Sequence, residues 1–525
     1  MAAMKNHILR HDVAQMVMPR INGKDLVDAG YRARIEGLVK EGIGGFILFG
    51  GDIENTPRSL RELQALSEVP LLIASDVERG LGQQLAGGTH FPSQRAVASA
   101  VSRNSRKDGA LLDTMLDAVR TETRAAGIHA VFSPVMDVNN NPDNPIICTR
   151  AFGDEPEVVE WFGSRYIKRL QKTRPNGTLD LLACAKHFPG HGDTDQDSHS
   201  VLPVIKADKP RLNRVELPPF RQAVKDGVGM VMIAHLLVPA LDPDKPVTFS
   251  KKVVTALLRE GMEFDGLIVS DALDMGALAG HYSQAEIAVR AVEAGMDILL
   301  HPADALVTIE AVVVAVEEGR LTAKRIRESV DRIIAAKKKL GLFDKNQEPD
   351  HKVDYETHRS IAREIGRQAV RVVGGDEKAL SLNITEGVTC FILDDDNGRN
   401  VGEVFLNEMQ KRFKNFTGSL LTPEACSLPA PSGSPWAAGP VVLAIYSKIS
   451  ASKGRSGISP KLRDAALEIL RTAKGLQKKS VVISFDSPYI LEQFKDANIL
   501  IAGYDRMDAI QLAAAELVGA GGGVR

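Results

Sequence analysis

Residues 182–205, LACAKHFPGHGDTDQDSHSVLPVI, gather three histidines, one lysine and three aspartates on a segment that a hydrophobic run delivers. Histidines among carboxylates first suggest a metal centre, but the spacing is poor. His187 and His191 stand four apart with Pro189 and Gly190 between them, so they cannot form the helical pair of a zinc protease. The run DTDQDS imitates the start of a calcium loop, yet Ser198 occupies the glycine position and Val204 the position of the bidentate glutamate. Serine-nucleophile chemistry lacks its G-x-S-x-G elbow. Acid/base catalysis on a neutral substrate remains. Asp197 lies two before His199, close enough in a tight loop for the carboxylate to hold one imidazole nitrogen and fix the tautomer. The other nitrogen is then free to exchange a proton. No metal and no other cofactor is expected.

Such a loop needs a rigid element to carry it, and residues 181–185 read as a buried strand that ends where Lys186 begins. Pro189, Gly190 and Gly192 then shape the turn. Similar apolar runs recur at residues 13–19, 45–49, 71–75, 130–135, 229–234, 266–270 and 296–300, alternating with longer amphipathic stretches. Apolar residues at consecutive positions, as in GGFILFG, PLLIAS and GLIVSD, suit strands covered on both faces. Eight βα units predict an α/β fold, a (β/α)8 TIM-type barrel. Polar residues follow the strands at Asp76, Asp137, Lys186 and His187, His235, Asp271 and His301. In a barrel those strand ends converge on one face, so residues distant in sequence share one pocket.

The 525 residues carry a formal net charge of -2, which gives no electrostatic reason to expect nucleic acid or an anionic membrane as partner. A small or neutral ligand is expected instead. Cys148, Cys184, Cys390 and Cys426 are scattered without CxxC spacing and read as free thiols. Residues 1–21 are interrupted by Lys5, His7, Arg10, His11 and Asp12, and no apolar run approaches the roughly 20 residues of a membrane span, so a cytoplasmic location is expected. After Gly341 the chain turns charged. The barrel is therefore assigned to residues 1–341, a linker and connecting helix to 342–374, and a smaller three-layer α/β/α sandwich domain to 375–525. In that domain strands are predicted at 388–393, 441–446, 481–485 and 499–502, with helices at 403–413 and 462–474 and a Pro/Ser/Gly-rich loop at 427–440.

The run KHFPGHGDTDQDSH with LP just after it, SPVMDV and RAFGD upstream, and VSDALDM at residues 269–275 closely resemble glycoside hydrolase family 3, specifically its two-domain β-N-acetylglucosaminidases. The motifs occur in the family's order, and the resemblance spans nearly the whole chain, more weakly after residue 375. It implies that Asp271, the aspartate of SDxLxM, is the nucleophile. His199 of the DSH triplet is then the general acid/base, with Asp197 as its dyad partner. Asp76, Arg150, Lys186 and His187 fall on positions that hydrogen-bond the hydroxyls of the terminal sugar. An imidazole suits the proton-transfer role because its ordinary pKa lies near neutral pH. The implied course is a double displacement with retained configuration, removing terminal N-acetylglucosamine from muropeptides or chitin-like fragments in cell-wall recycling. A phosphorylase or a β-glucosidase of the same family is the catalytic alternative, and a non-catalytic carbohydrate-binding protein the alternative of another class. One departure is visible: residues 76–84 read DVERGLGQQ where members often read DQEGGRVQR, so Leu81 and Gln84 replace arginines and Arg79 a glycine.

Overall fold

A computed structural model describes residues 2–344, 353–376, 382, 387–428, 436, 439–450 and 453–519. The chain divides into two compact units. One comprises Met1–Phe91, Asp113–Asn141 and Ala151–Arg359, and the other Pro92–Leu112, Pro142–Arg150 and Ser360–Arg525.

The first unit holds strands β1 (Val17–Met18), β2 (Arg20–Asn22), β3 (Gly45–Phe49), β4 (Leu72–Ser75), β5 (Ala130–Val131), β6 (Leu182–Phe188), β7 (Met230–Ile233), β8 (Leu267–Ser270) and β9 (Leu299–Leu300). β2 to β8 form one parallel sheet in chain order. β9 pairs in parallel with β1 and meets β8 through the Val269↔Ile298 bridge, which closes the ring. Pro19 separates β1 from β2 because it has no N–H to give, while its carbonyl still accepts from the Ile47 N–H at 3.0 Å. Counted as one strand, the pair brings the ring to the eight of a (β/α)8 barrel. Every residue of β4, β6, β7, β8 and β9 is buried, the mark of strands with the barrel interior on one face and helices on the other.

The outer helices have legible boundaries. In Gln284–Ala294 the Ser283 side chain accepts the Glu286 N–H at the start, and Gly295, at φ 123°, ends it. Its buried Ile287, Ala288, Ala291 and Val292 repeat at helical spacing. At the strands' N-terminal ends, fully buried Asp297 receives Arg259 at 2.6 Å and Arg332 at 3.2 Å. Nearby in the chain, Lys337 donates to Gln15 Oε1 at 2.8 Å, and burial pushes its pKa down to about 7. These braces leave the opposite face to chemistry. The strand expected from residue 13 is corrected: residues 13–15 close the helix Ala2–Gln15, whose Val13 and Ala14 are buried. A short apolar run reads alike as a helix end or a strand.

The second unit contains β10 (Arg371–Gly375), β11 (Val388–Asp394), β12 (Phe416–Leu421), β13 (Val441–Tyr446), β14 (Ser480–Ser484) and β15 (Ile499–Ala502) in the order β10-β15-β14-β13-β11-β12. All pairs are parallel except β10 with β15. Phe391, Leu443 and Val482 cluster with Leu462 and Ile469 of the helix Pro460–Gly475. Alternate strand residues face the other way, where Phe485 meets Phe405 of the helix Glu403–Arg412, with ring centroids 5.5 Å apart. Helices on both faces make the three-layer sandwich. Residues 371–375, assigned to the connector from sequence, form its antiparallel edge strand. Their side chains alternate between exposed and half-buried, so no continuous apolar run announces them. The loop at 427–440 and the C-terminal glycines lie largely outside the described residues. Among those described, no helix is long and apolar enough to cross a membrane.

Candidate active site

β6 carries Lys186 and His187 inside its buried end rather than after it. Lys186 Nζ lies 2.8 Å from Asp76 Oδ1 and 2.6 Å from Glu78 Oε1, so the loop after β4 is tied to β6 by one ammonium shared between two carboxylates. His187 Nδ1 is 2.7 Å from Asp137 Oδ2, while Asp137 Oδ1 accepts the backbone N–H groups of His187 at 3.2 Å and His191 at 2.6 Å. Asp137 is fully buried and acts as the hub that holds the strand end and the following loop together. The loop presses against its neighbour: a Cβ at Gly192 would stand 1.8 Å from the Val138 carbonyl oxygen, a gap only glycine tolerates.

Further along, His191 Nε2 lies 3.1 Å from Ser198 Oγ, and Arg211 reaches Asp193 at 2.9 Å, so His191 and Asp193 both hold the loop's shape. Asp197 Oδ1 lies 2.8 Å from His199 Nδ1 and also accepts the His199 backbone N–H at 2.9 Å. The Asp197 side chain is 2% exposed and that of His199 37%, so a buried carboxylate holds an imidazole at the surface. Among the described residues the other ring nitrogen, Nε2, has no protein hydrogen bond.

Asp271 follows β8, with its N–H donating to the Ile233 carbonyl at 3.0 Å and its Oδ1 accepting from the Ala272 N–H at 2.8 Å. Burial acts to raise its pKa, but His187, His235, the Ala272 N–H and Lys186 outweigh burial and hold the carboxyl below its ordinary value. His235 is itself pushed toward the neutral form by burial, so at neutral pH the ammonium and the N–H carry more of that effect. The Asp271 and His199 loops are joined: the Ala277 N–H donates to the Ser198 carbonyl at 3.3 Å, and a Cβ on Gly276 would lie 2.6 Å from the His199 carbonyl oxygen. A half-buried carboxylate and an imidazole with Nδ1 held by a second carboxylate thus stand on adjoining loops, groups of the kind that nucleophilic and proton-transfer chemistry uses.

Asp76, Lys186, His187, Asp197, His199 and Asp271 all belong to the first unit, whereas Arg150 belongs to the second, where its Nη1 donates to the Ile146 carbonyl at 3.1 Å. Gln84 spans two loops: its Nε2 donates to the Asp76 carbonyl at 3.0 Å, and its Oε1 lies 3.5 Å from the Gly50 nitrogen. His235 is satisfied on both sides, with Nε2 donating to the Ala272 carbonyl at 2.9 Å and Nδ1 2.7 Å from Thr248 Oγ1. It steadies the backbone beside Asp271. Two residues left out of the predicted site are structurally central: Glu78, whose signal is its place two residues beyond Asp76, and Asp137, which stands out only as a strand-end aspartate.

Two outcomes follow from this packing. Asp137→Asn replaces one acceptor oxygen with a donor facing His187, and is expected to cost about 3 kcal/mol, read as a lower denaturant midpoint. For His191, burial lowers the pKa from 6.5 to about 4 despite the pull of Asp137. The unfolded chain then binds a proton that the folded one refuses, so stability falls as pH drops from 6.5 through 4. The gap amounts to about 3 kcal/mol. Denaturation followed from pH 7 to 4 should show this slope, and His191→Asn should reduce it, with His129, whose pKa burial lowers to about 3, supplying a remaining slope of the same sign.

A closed parallel barrel with acid, base and carboxylate groups on its C-terminal face is the architecture of a barrel enzyme. The family model described as the glycosyl hydrolase family 3 N-terminal domain matches residues 8–336, and the chain belongs to that family and is a glycoside hydrolase. It is 28% identical over 510 residues to beta-hexosaminidase A of Pseudoalteromonas piscicida, covering 88% of this chain and 83% of that protein. A beta-hexosaminidase of Chromobacterium violaceum is 36% identical over 288 residues, 54% of this chain and 77% of its own. Among solved structures, a family 3 beta-N-acetylglucosaminidase from Paenibacillus sp. str. FPU-7 superposes with a TM-score of 0.81 at 27% identity, over 98% of this chain and 96% of that one.

Proposed function

We propose that this chain is an exo-acting, retaining β-N-acetylglucosaminidase, with residues 1–341 as its catalytic barrel. The observation that carries the reading is the Asp197–His199 pair, held at 2.8 Å on a loop that is hydrogen-bonded to the loop of Asp271. The names borne by its relatives point to the same sugar. In this reading Asp271 attacks the anomeric carbon while protonated His199 gives the Nε2 proton to the departing oxygen, so the glycosidic bond breaks as a glycosyl-aspartate ester forms. Neutral Nε2 then takes a proton from water, the oxygen attacks the same carbon, and the Asp271 carboxylate leaves. Asp197 keeps Nδ1 occupied so that Nε2 faces the reaction. Asp76, Lys186 and His187 hold the sugar hydroxyls. The biological setting we propose is cytoplasmic recycling of cell-wall fragments, to be checked by cell fractionation.

A panel of aryl glycosides, run with and without phosphate, tests the activity. Release of free N-acetylglucosamine with β-anomeric retention, at a rate independent of phosphate, is expected. Preference for glucosides, or a sugar phosphate as product, would sink this reading.

A further inference from the structure

A chain of buried groups that begins at Thr248 ends on the Asp271 carboxylate. Asp271 Oδ1 accepts the Ala272 N–H at 2.8 Å, and among the described residues its Oδ2 accepts no hydrogen bond. The Ala272 carbonyl in turn accepts from His235 Nε2 at 2.9 Å and from the Met275 N–H at 3.2 Å, so the residue that grips the carboxylate is itself gripped at its other end. His235 lies just past β7 and is fully buried. Its Nδ1 stands 2.7 Å from Oγ1 of Thr248, also fully buried, in the single helical turn Val247–Phe249. The Val247 N–H donates to the Leu236 carbonyl at 2.7 Å, which ties that turn back to the same strand end.

What each group can donate or accept orders the protons along this chain. A carbonyl only accepts, so Nε2 must carry the ring hydrogen that reaches Ala272. In the neutral ring, which burial favours, Nδ1 is then an acceptor, and the Thr248 hydroxyl is the donor beside it. That hydroxyl also lies 3.2 Å from the Ala234 carbonyl, but its 2.7 Å contact with the imidazole is the shorter. A ring held at both nitrogens cannot turn about its Cβ–Cγ bond, whereas a ring held at one can. The Asp271 N–H bond to the Ile233 carbonyl at 3.0 Å fixes only backbone; the Ala272 N–H is the group that reaches the carboxylate. A fixed donor on one carboxylate oxygen stops the two oxygens from exchanging places and leaves the other unoccupied, which is the preorganisation that attack on a bound carbon needs.

We infer that His235 and Thr248 are positioning residues for the nucleophile: through Ala272 they hold Oδ1 of Asp271, so that Oδ2 forms the bond to the anomeric carbon. This rests on the reading of Asp271 as nucleophile above. The test compares wild type, Thr248→Val, Thr248→Ser and His235→Phe on a dinitrophenyl N-acetyl-β-glucosaminide, whose ester-forming step needs no acid, and measures N-acetylglucosamine affinity by calorimetry. Thr248→Val should lower kcat/KM about tenfold and His235→Phe about a hundredfold, with affinity changed by less than about twofold. Thr248→Ser, which keeps the hydroxyl, should recover most of the loss. Wild-type kcat/KM in both Thr248→Val and His235→Phe overturns the inference and leaves the chain a brace for the fold. So does a fall in kcat/KM matched by an equal fall in affinity, which would make the chain a wall of the sugar pocket. A crystal structure of wild type trapped with 5-fluoro N-acetylglucosaminyl fluoride decides the oxygen without any variant. The ester's carbonyl oxygen is expected on the Ala272 N–H, and finding the sugar-bonded oxygen there overturns the inference. If wild type forms no ester at Asp271, the nucleophile reading fails and takes this inference with it, whereas a trapped ester beside unaffected variants overturns this inference alone.

Discussion

Asp271→Ala is expected to lower turnover of an aryl N-acetyl-β-glucosaminide by on the order of 10⁴-fold or more, the scale of losing a covalent nucleophile. Alanine offers no oxygen to the anomeric carbon, and the imidazole on the adjoining loop cannot replace the missing ester. The fold should survive. Among the described residues the one hydrogen bond that the side chain accepts is from the Ala272 N–H at 2.8 Å, and the backbone bond to Ile233 at 3.0 Å does not depend on the side chain. The Lys186 ammonium keeps Asp76 and Glu78 as partners without it. A melting midpoint near that of wild type, beside the collapse in rate, separates a chemical loss from a structural one. A 5-fluoro N-acetylglucosaminyl fluoride, which keeps the 2-acetamido group, should label wild type at Asp271, as peptide mass would show, and leave the variant unlabelled. Retention of even a tenth of the activity by well-purified Asp271→Ala would remove Asp271 from the nucleophile role.

The strands that position these groups were legible because barrel strands are covered on both faces and so write themselves as unbroken apolar runs. LIVS before Asp271 and LACA before Lys186 are examples. The sandwich strands 441–446 and 499–502 were read for the same reason. Elements with mixed exposure escaped: β10 alternates exposed and half-buried side chains, and β12, with the sequence FTGSLL, has one fully buried residue. The pairing of Asp197 with His199 was visible because it is local, two residues apart on one loop. Long-range partnerships were not. Asp137 meets His187 across fifty positions, and Glu78 meets Lys186 across more than a hundred, distances over which neither spacing nor periodicity carries information. The placement of Arg150 with the second unit, within a stretch of sequence otherwise given to the barrel, is of the same kind.

His199→Ala should separate substrates by leaving group. For a dinitrophenyl glycoside the departing phenolate needs no proton, so formation of the glycosyl-aspartate ester continues and kcat/KM stays near wild type. Hydrolysis of that ester still needs a base, so kcat falls and KM falls with it as the ester accumulates. For an alkyl or sugar leaving group the missing proton is felt in the first step, and kcat/KM should drop by about 10²–10⁴-fold. Azide attacks the ester without surrendering a proton and should restore kcat for the dinitrophenyl substrate, yielding the β-glycosyl azide. Geometry makes these expectations particular to His199. Its ring is held through Nδ1 by Asp197 at 2.8 Å and, among the described residues, Nε2 has no protein partner, with the side chain 37% exposed, whereas the side chains of His187 and His191 are buried and His235 has both ring nitrogens bound within the fold. Equal losses in kcat/KM for dinitrophenyl and alkyl glycosides would mean that the imidazole binds or shapes the site rather than moving a proton. The Asp197–His199 pair would then be a brace for the loop, and the acid would have to be sought elsewhere.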